Sequence, residues 1–167
     1  ILIDFEYFNK GIEGITTFNY GFLDPNDQDF HKGESEIEGI DFFLRNKSEV
    51  VTSWLSYTYT DALNIFKDLN SSLPFTGNQS IKHQIIASTS VDFNNLNIAL
   101  IWKWHTGKPY SYPSEVTELP ANTYRFSYDK LNGLTLPNYN RIDVSLGYKF
   151  KNHKNNLNPE IVLSFVN

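Results

Sequence analysis

Residues 136–150 read LPNYNRIDVSLGYKF. From Arg141 onward the side chains alternate without a break. Ile142, Val144, Leu146, Tyr148 and Phe150 fall on one face, and Arg141, Asp143, Ser145, Gly147 and Lys149 on the other. A period of two describes a β-strand with two unlike faces. In a soluble sandwich the apolar face is the core; in a membrane barrel it is the outside. Which face meets water therefore decides the fold.

Composition narrows the field first. The chain has 167 residues, 40% of them hydrophobic and 20% charged, which suits one ordinary domain and neither a disordered segment nor a helical membrane bundle. No run approaches the ~18 consecutive apolar residues that a membrane helix needs, but a membrane barrel does not require one. The absence of cysteine leaves no disulfide framework, redox motif or thiolate metal site. A net charge of −5 with no basic patch argues against nucleic acid as a partner. The chain opens ILIDFEYF and closes LSFVN, both within strand-like patterns, so a piece of a larger protein is expected.

Seven strands are expected, over residues 1–8, 36–45, 50–60, 81–93, 96–106, 136–150 and from about 158 onward. In each, one row opposes another: Ile40, Phe42 and Leu44 against Asp41, Phe43 and Arg45, or Leu96, Ile98, Leu100, Trp102 and Trp104 against Asn97, Ala99, Lys103 and His105. Residues 61–69 have mild helical character that stops at Asn70-Ser71-Ser72 and Pro74, so no helix is expected there.

The connections alternate between long and short. Long ones are read at 9–35, 61–80 and 107–138, tight ones at 46–49 and Asn94-Asn95, and a shorter one at 151–157. An up-and-down meander then carries its long loops at one end and its turns at the other, as outer-membrane barrels do. A strand of about 10 residues is roughly 33 Å long and, tilted by about 45°, rises roughly 23 Å, close to the ~25 Å apolar band of such a barrel. Phe93, Trp102, Trp104, Tyr148 and Phe150 fall near strand ends, where interfacial girdles of aromatics belong. The expected fold class is all-β: antiparallel up-and-down transmembrane strands with lipid outside. The rival is a soluble β-sandwich serving as a binding or adhesin module.

Several stretches resemble a known family. Glu38-Gly39-Ile40-Asp41, Ser56-Tyr57-Thr58-Tyr59-Thr60, Thr106-Gly107-Lys108-Pro109-Tyr110 and Leu136-Pro137-Asn138-Tyr139-Asn140-Arg141-Ile142-Asp143 resemble, in order and spacing, signatures of the late barrel strands of TonB-dependent outer-membrane receptors. Leu163-Ser164-Phe165-Val166-Asn167 resembles the start of a further one. The resemblance covers nearly the whole chain. It implies a barrel of 22-strand type in a Gram-negative outer membrane, with residues 1–167 as part of that barrel and with the plug domain, TonB box and final strand outside it. It also implies uptake of a scarce nutrient such as a siderophore-iron complex. The implied partners are the TonB complex, the protein's own plug, outer-membrane lipid and a small or oligomeric nutrient ligand. No enzymatic activity and no cofactor are expected.

Candidate sites follow from the faces. Asp41, Arg45, Lys82, Asp92, Lys103, Arg141, Asp143 and Lys149 are read on the lumen side, facing the plug; plain solvation of a wet wall would suit the same charges. Arg141 and Asp143, two apart on one face, are placed to share a polar network. In the loops, Tyr110, Tyr112, Tyr124, Arg125 and Tyr128 offer rings and a guanidinium to a sugar or an aromatic or carboxylate-bearing ligand, unless they pack loop on loop. The acids of residues 24–29 have some of a calcium loop's spacing but lack its glycine and late glutamate. The four histidines are scattered, and no nucleophile, base and acid form a catalytic set.

Overall fold

The computed structural model describes residues 1–18, 30–67, 69–120, 123–150 and 159–166, without the side chains of Phe18, Thr123 and Arg125. The candidate calcium loop at 24–29, the connection at 151–157 and the Arg125 side chain therefore lie outside the described residues.

The chain forms β1 (Leu2–Phe18), β2 (Phe30–Lys47), β3 (Val51–Phe66), β4 (Phe75–Thr76), β5 (His83–Phe93), β6 (Leu96–His105), β7 (Pro109–Tyr110), β8 (Glu115–Leu119), β9 (Thr123–Ser127), β10 (Leu134–Thr135), β11 (Tyr139–Lys149) and β12 (Glu160–Val166). No α-helix forms among the described residues. One sheet runs in the order β1-β2-β3-β5-β6-β11-β12, with β4 attached to the side of β3. Every pairing in it is antiparallel. The remaining strands form two nested hairpins, β7 with β10 and β8 with β9, inside the connection between β6 and β11.

The register sorts the side chains. Residues directly opposite each other share a face. Ile142 stands opposite Trp102, Val144 opposite Leu100 and Leu146 opposite Ile98. Ile98 stands opposite Val91 on β5, and Ala87 continues the row to Leu55 on β3 and Leu44 on β2. On the other face, Ser145 meets Ala99, Ala99 meets Ser90 and Ser90 meets Thr52. The apolar row thus continues from β11 to β2, while the opposite face mixes polar residues with Phe43, Trp54, Ile86 and Ile101.

On β11, and at Ile98 and Leu100 of β6, the apolar face is the more open one. Ile142 is 45% exposed and Leu146 39%, whereas Arg141, Asp143 and Ser145 between them are half-buried and Gly147 is buried. The only buried apolar side chains among the described residues are Phe66, Phe75 and Leu131, all at the long-loop end. The accessible surface is 12251 Å². A compact soluble monomer of 19.3 kDa would expose about 8,500 Å². A sheet without an apolar layer across from it accounts for the excess.

The strands next to the first long loop are longer than the alternation of apolar residues indicates. Residues 9–18 and 30–35 extend β1 and β2, and residues 61–66 extend β3, where loops are expected. On β2 the period of two is carried by carboxylates, since Glu34, Glu36 and Glu38 alternate with Ser35, Ile37 and Gly39. On β1 a bulge between Glu13 and Ile15, with Gly14 at φ +75°, shifts the alternation by one and hides the strand from a periodic reading. The tight turn at Asn94-Asn95 forms as expected, with Asn94 at φ 55°, the left-handed conformation a two-residue hairpin requires.

Candidate functional site

The resembling stretches meet in pairs. Gly39 lies opposite Thr60 and Asp41 opposite Thr58, whose hydroxyl donates to Asp41 Oδ1 at 2.5 Å. Phe8 of β1 lies opposite Gly39 on the other side, and its ring tip fills the space a Cβ would need. The close approach explains glycine there. At the other pair, Gly107 N–H donates to Asn138 Oδ1 at 3.2 Å, Leu136 N–H to the Lys108 carbonyl at 2.9 Å, and Tyr139 stacks on His105 at 4.8 Å.

On the polar face, Arg141 Nε donates to both oxygens of Asp143 at 2.8 and 3.0 Å. Lys103 stands directly opposite Arg141, and Lys149 opposite Glu160. Asp92 accepts from Asn97 Nδ2 at 2.8 Å, and the same amide reaches Ser90 Oγ at 3.0 Å. Asp41 and Arg45 share this face through their partners Thr58 and Trp54. Trp54 itself packs on Phe43 of β2, 6.2 Å between ring centroids. Lys82 departs from the expected placement. It precedes β5, and its ammonium lies 5.9 Å from the centroid of Tyr59, a ring of the apolar face. A long side chain at a strand end is free to reach round the sheet edge to a ring.

On the apolar face the expected interface aromatics fall at both ends. Phe93, Tyr148 and Phe150 are exposed at the tight-turn end, where Tyr148 and Phe150 meet edge to face at 4.8 Å. Trp102 and Trp104 lie toward the long-loop end, and Trp102 Nε1 donates to Asn140 Oδ1 at 2.7 Å.

A concavity of about 520 Å³ lies on the polar face at the long-loop end. Its wall climbs β3 through Thr58, Thr60, Ala62 and Asn64, flanked by Ser35 and Ile37 of β2 and Gln84 of β5. Its roof is residues 77–81 and Asn132. Two contacts hold the roof down. Leu131 packs on Phe66 and Phe75, whose rings lie 5.9 Å apart, with Ile15, Leu69 and Tyr128 around them. Asn132, at φ 51°, donates from its side chain to the Thr76 carbonyl at 2.7 Å, and its backbone N–H donates to Ser111 Oγ at 2.8 Å.

Among the described residues, none of the loop tyrosines expected to bind ligand lines this cavity. Tyr110, Tyr112 and Tyr124 are exposed on the outer hairpins, and Tyr128 is taken up in the Phe66 cluster. The described residues that do line it are uncharged, so they carry no signal of their own in the sequence. The one clue is that Thr58, Thr60, Ala62 and Asn64 continue the polar row of β3 past its apolar stretch. Among the described residues no three His, Asp or Glu side chains converge as a metal site would require. No protein-family model, curated protein or solved structure matches the chain.

Proposed function

We propose that the chain is a section of the wall of a transmembrane β-barrel of the TonB-dependent receptor type, seated in a bacterial outer membrane and serving uptake of a scarce nutrient. The observation that carries the reading is the inverted burial of β11 and its neighbour β6. The apolar row is exposed from Ile142 to Tyr148 on β11 and at Ile98 and Leu100 on β6, while Arg141, Asp143, Ser145 and Gly147 behind it are more shielded, and the matching row of β3 carries no charge from Val51 to Tyr59. Nine residues at ~3.3 Å and ~45° tilt give an apolar band of roughly 21 Å, near the height of a barrel's lipid-facing belt. Exposing such a face to water would leave an apolar patch far larger than a soluble monomer carries. A soluble sandwich would need a second apolar layer over these rows, and the described residues supply none.

In this reading, lipid covers the apolar face, and the plug and the ligand pathway lie on the polar face. Coupling to TonB runs through the plug. The polar wall is a counter-surface and takes no part in bond-making. The test is made on the full-length protein in native membranes, with Leu146→Cys and Ser145→Cys variants, since the chain has no cysteine of its own. Leu146→Cys is expected to be quenched from the lipid phase, and Ser145→Cys to react with a water-soluble thiol reagent. A Leu146→Cys thiol shielded from lipid overturns the reading.

A further inference from the structure

The roofed cavity carries an inference about the ligand, resting on the transporter reading above. The described residues that line it include no Asp, Glu, Lys, Arg or His. This contrasts with the rest of the polar face, where Asp41, Lys103, Arg141 and Asp143 stand within a few rows. Lys108 does not itself line the cavity, and its ammonium is engaged by Oε1 of the lining residue Gln79 at 2.8 Å. The side chains of Thr60, Asn64 and Gln84, by contrast, are committed to no other described residue. Hydroxyls and carboxamides both donate and accept. Between them lie the hydrocarbon surfaces of Ile12, Ile15, Ile37 and Ala62.

We infer that this cavity receives an uncharged, hydroxyl-rich ligand of oligosaccharide type, and not an anionic metal chelate. An anion entering here would surrender water and find no cation among the described lining residues, a loss of several kcal/mol for an ion taken from water without a partner. A neutral polyol exchanges its water for the hydroxyls and amides of Thr60, Asn64 and Gln84, while its C–H faces lie on the isoleucines. The cavity's about 520 Å³ lies within the range of small-ligand sites. Its position fits entry from outside. It lies at the level where the opposite face of the same strands changes from apolar rings to Glu34, Glu36, Glu38 and Asp61, beyond the uncharged band.

The test uses the full-length protein in detergent and equilibrium binding of maltotriose, cellotriose, mannotriose and galactotriose, against trigalacturonate and ferric citrate. At least one uncharged trisaccharide is expected to bind at least ten times more tightly than trigalacturonate, which has similar size and hydroxyls but adds carboxylates. Asn64→Ala and Gln84→Ala are each expected to weaken that binding about three- to tenfold, as loss of one or two neutral hydrogen bonds does. The isosteric Asn64→Asp and Gln84→Glu variants, which keep the shape of the wall, should weaken it as well. Val116→Ala, on the outer hairpin, should leave it unchanged. Tighter binding of trigalacturonate or ferric citrate, no binding by any uncharged trisaccharide, or indifference to all four wall variants overturns the inference. The Leu146→Cys result separates the two readings. A lipid-exposed Leu146→Cys thiol with no sugar binding removes the ligand class alone, and a shielded one removes the membrane reading.

Discussion

Arg141 and Asp143 sit two residues apart on one strand, and a single guanidinium nitrogen donates to both carboxylate oxygens. The pair neutralises itself along the strand while Lys103 stands across from Arg141. Like charges directly opposite each other destabilise a sheet. Asp143 is therefore the group that makes two facing cations tolerable. Asp143→Asn is expected to lower the temperature at which the folded band is lost on semi-native gels, more so at low salt, where the repulsion is less screened. Adding Lys103→Gln should restore part of the loss. An unchanged midpoint in Asp143→Asn would show the pair to be inert.

Charge placement separates the two faces within one residue. Val144 lies mid-strand on the apolar face, opposite Leu100 and Phe165, and Ser145 lies on the polar face. Val144→Arg should cost about 2–4 kcal/mol of folding stability in bilayers, the penalty for arginine near the midplane, and Ser145→Arg much less. Denaturant unfolding in lipid vesicles measures both, and equal penalties would contradict the assignment of faces.

The roof of the cavity is held by a small cluster that should open on its own. Leu131, 8% exposed, packs on Phe66 and Phe75. Leu131→Ala should remove about 2 kcal/mol or more locally. Because few buried contacts tie the connection between β6 and β11 to the sheet, this loss should appear as local opening. Limited proteolysis is expected to cut within residues 115–127 sooner, with the unfolding midpoint of the long sheet unchanged.

Asn132 contributes a conformation as well as hydrogen bonds. Its φ of 51° and its side-chain hydrogen bonds, donating to the Thr76 carbonyl and accepting from Ser111 Oγ, are separable by substitution. Asn132→Gly loses the amide and relieves the left-handed backbone of its Cβ, whereas Asn132→Ala loses the amide and keeps the Cβ, at about 1–2 kcal/mol relative to glycine. The expected order of protease resistance is wild type, then Asn132→Gly, then Asn132→Ala. A reversal of the two variants would locate the effect elsewhere.

What the sequence determined by itself is the two-facedness of the strands and their order. Both are local properties: a period of two shows within LPNYNRIDVSLGYKF, and Asn94-Asn95 can only be a tight turn between Phe93 and Leu96. The pairing of Arg141 with Asp143 was legible for the same reason, since residues two apart on a strand share a face. The upper halves of β1 and β2 were hidden because Gly14 breaks the period and carboxylates replace apolar residues in it. The cavity was decided by tertiary structure alone. Its lining runs from Ile12 to Asn132, and the residues are threonines, amides and isoleucines that are ordinary wherever they occur singly. Only the antiparallel stacking of β1, β2, β3 and β5, and the burial of Leu131 against Phe66, bring them around one space, and no local pattern in a chain encodes contacts made across that distance.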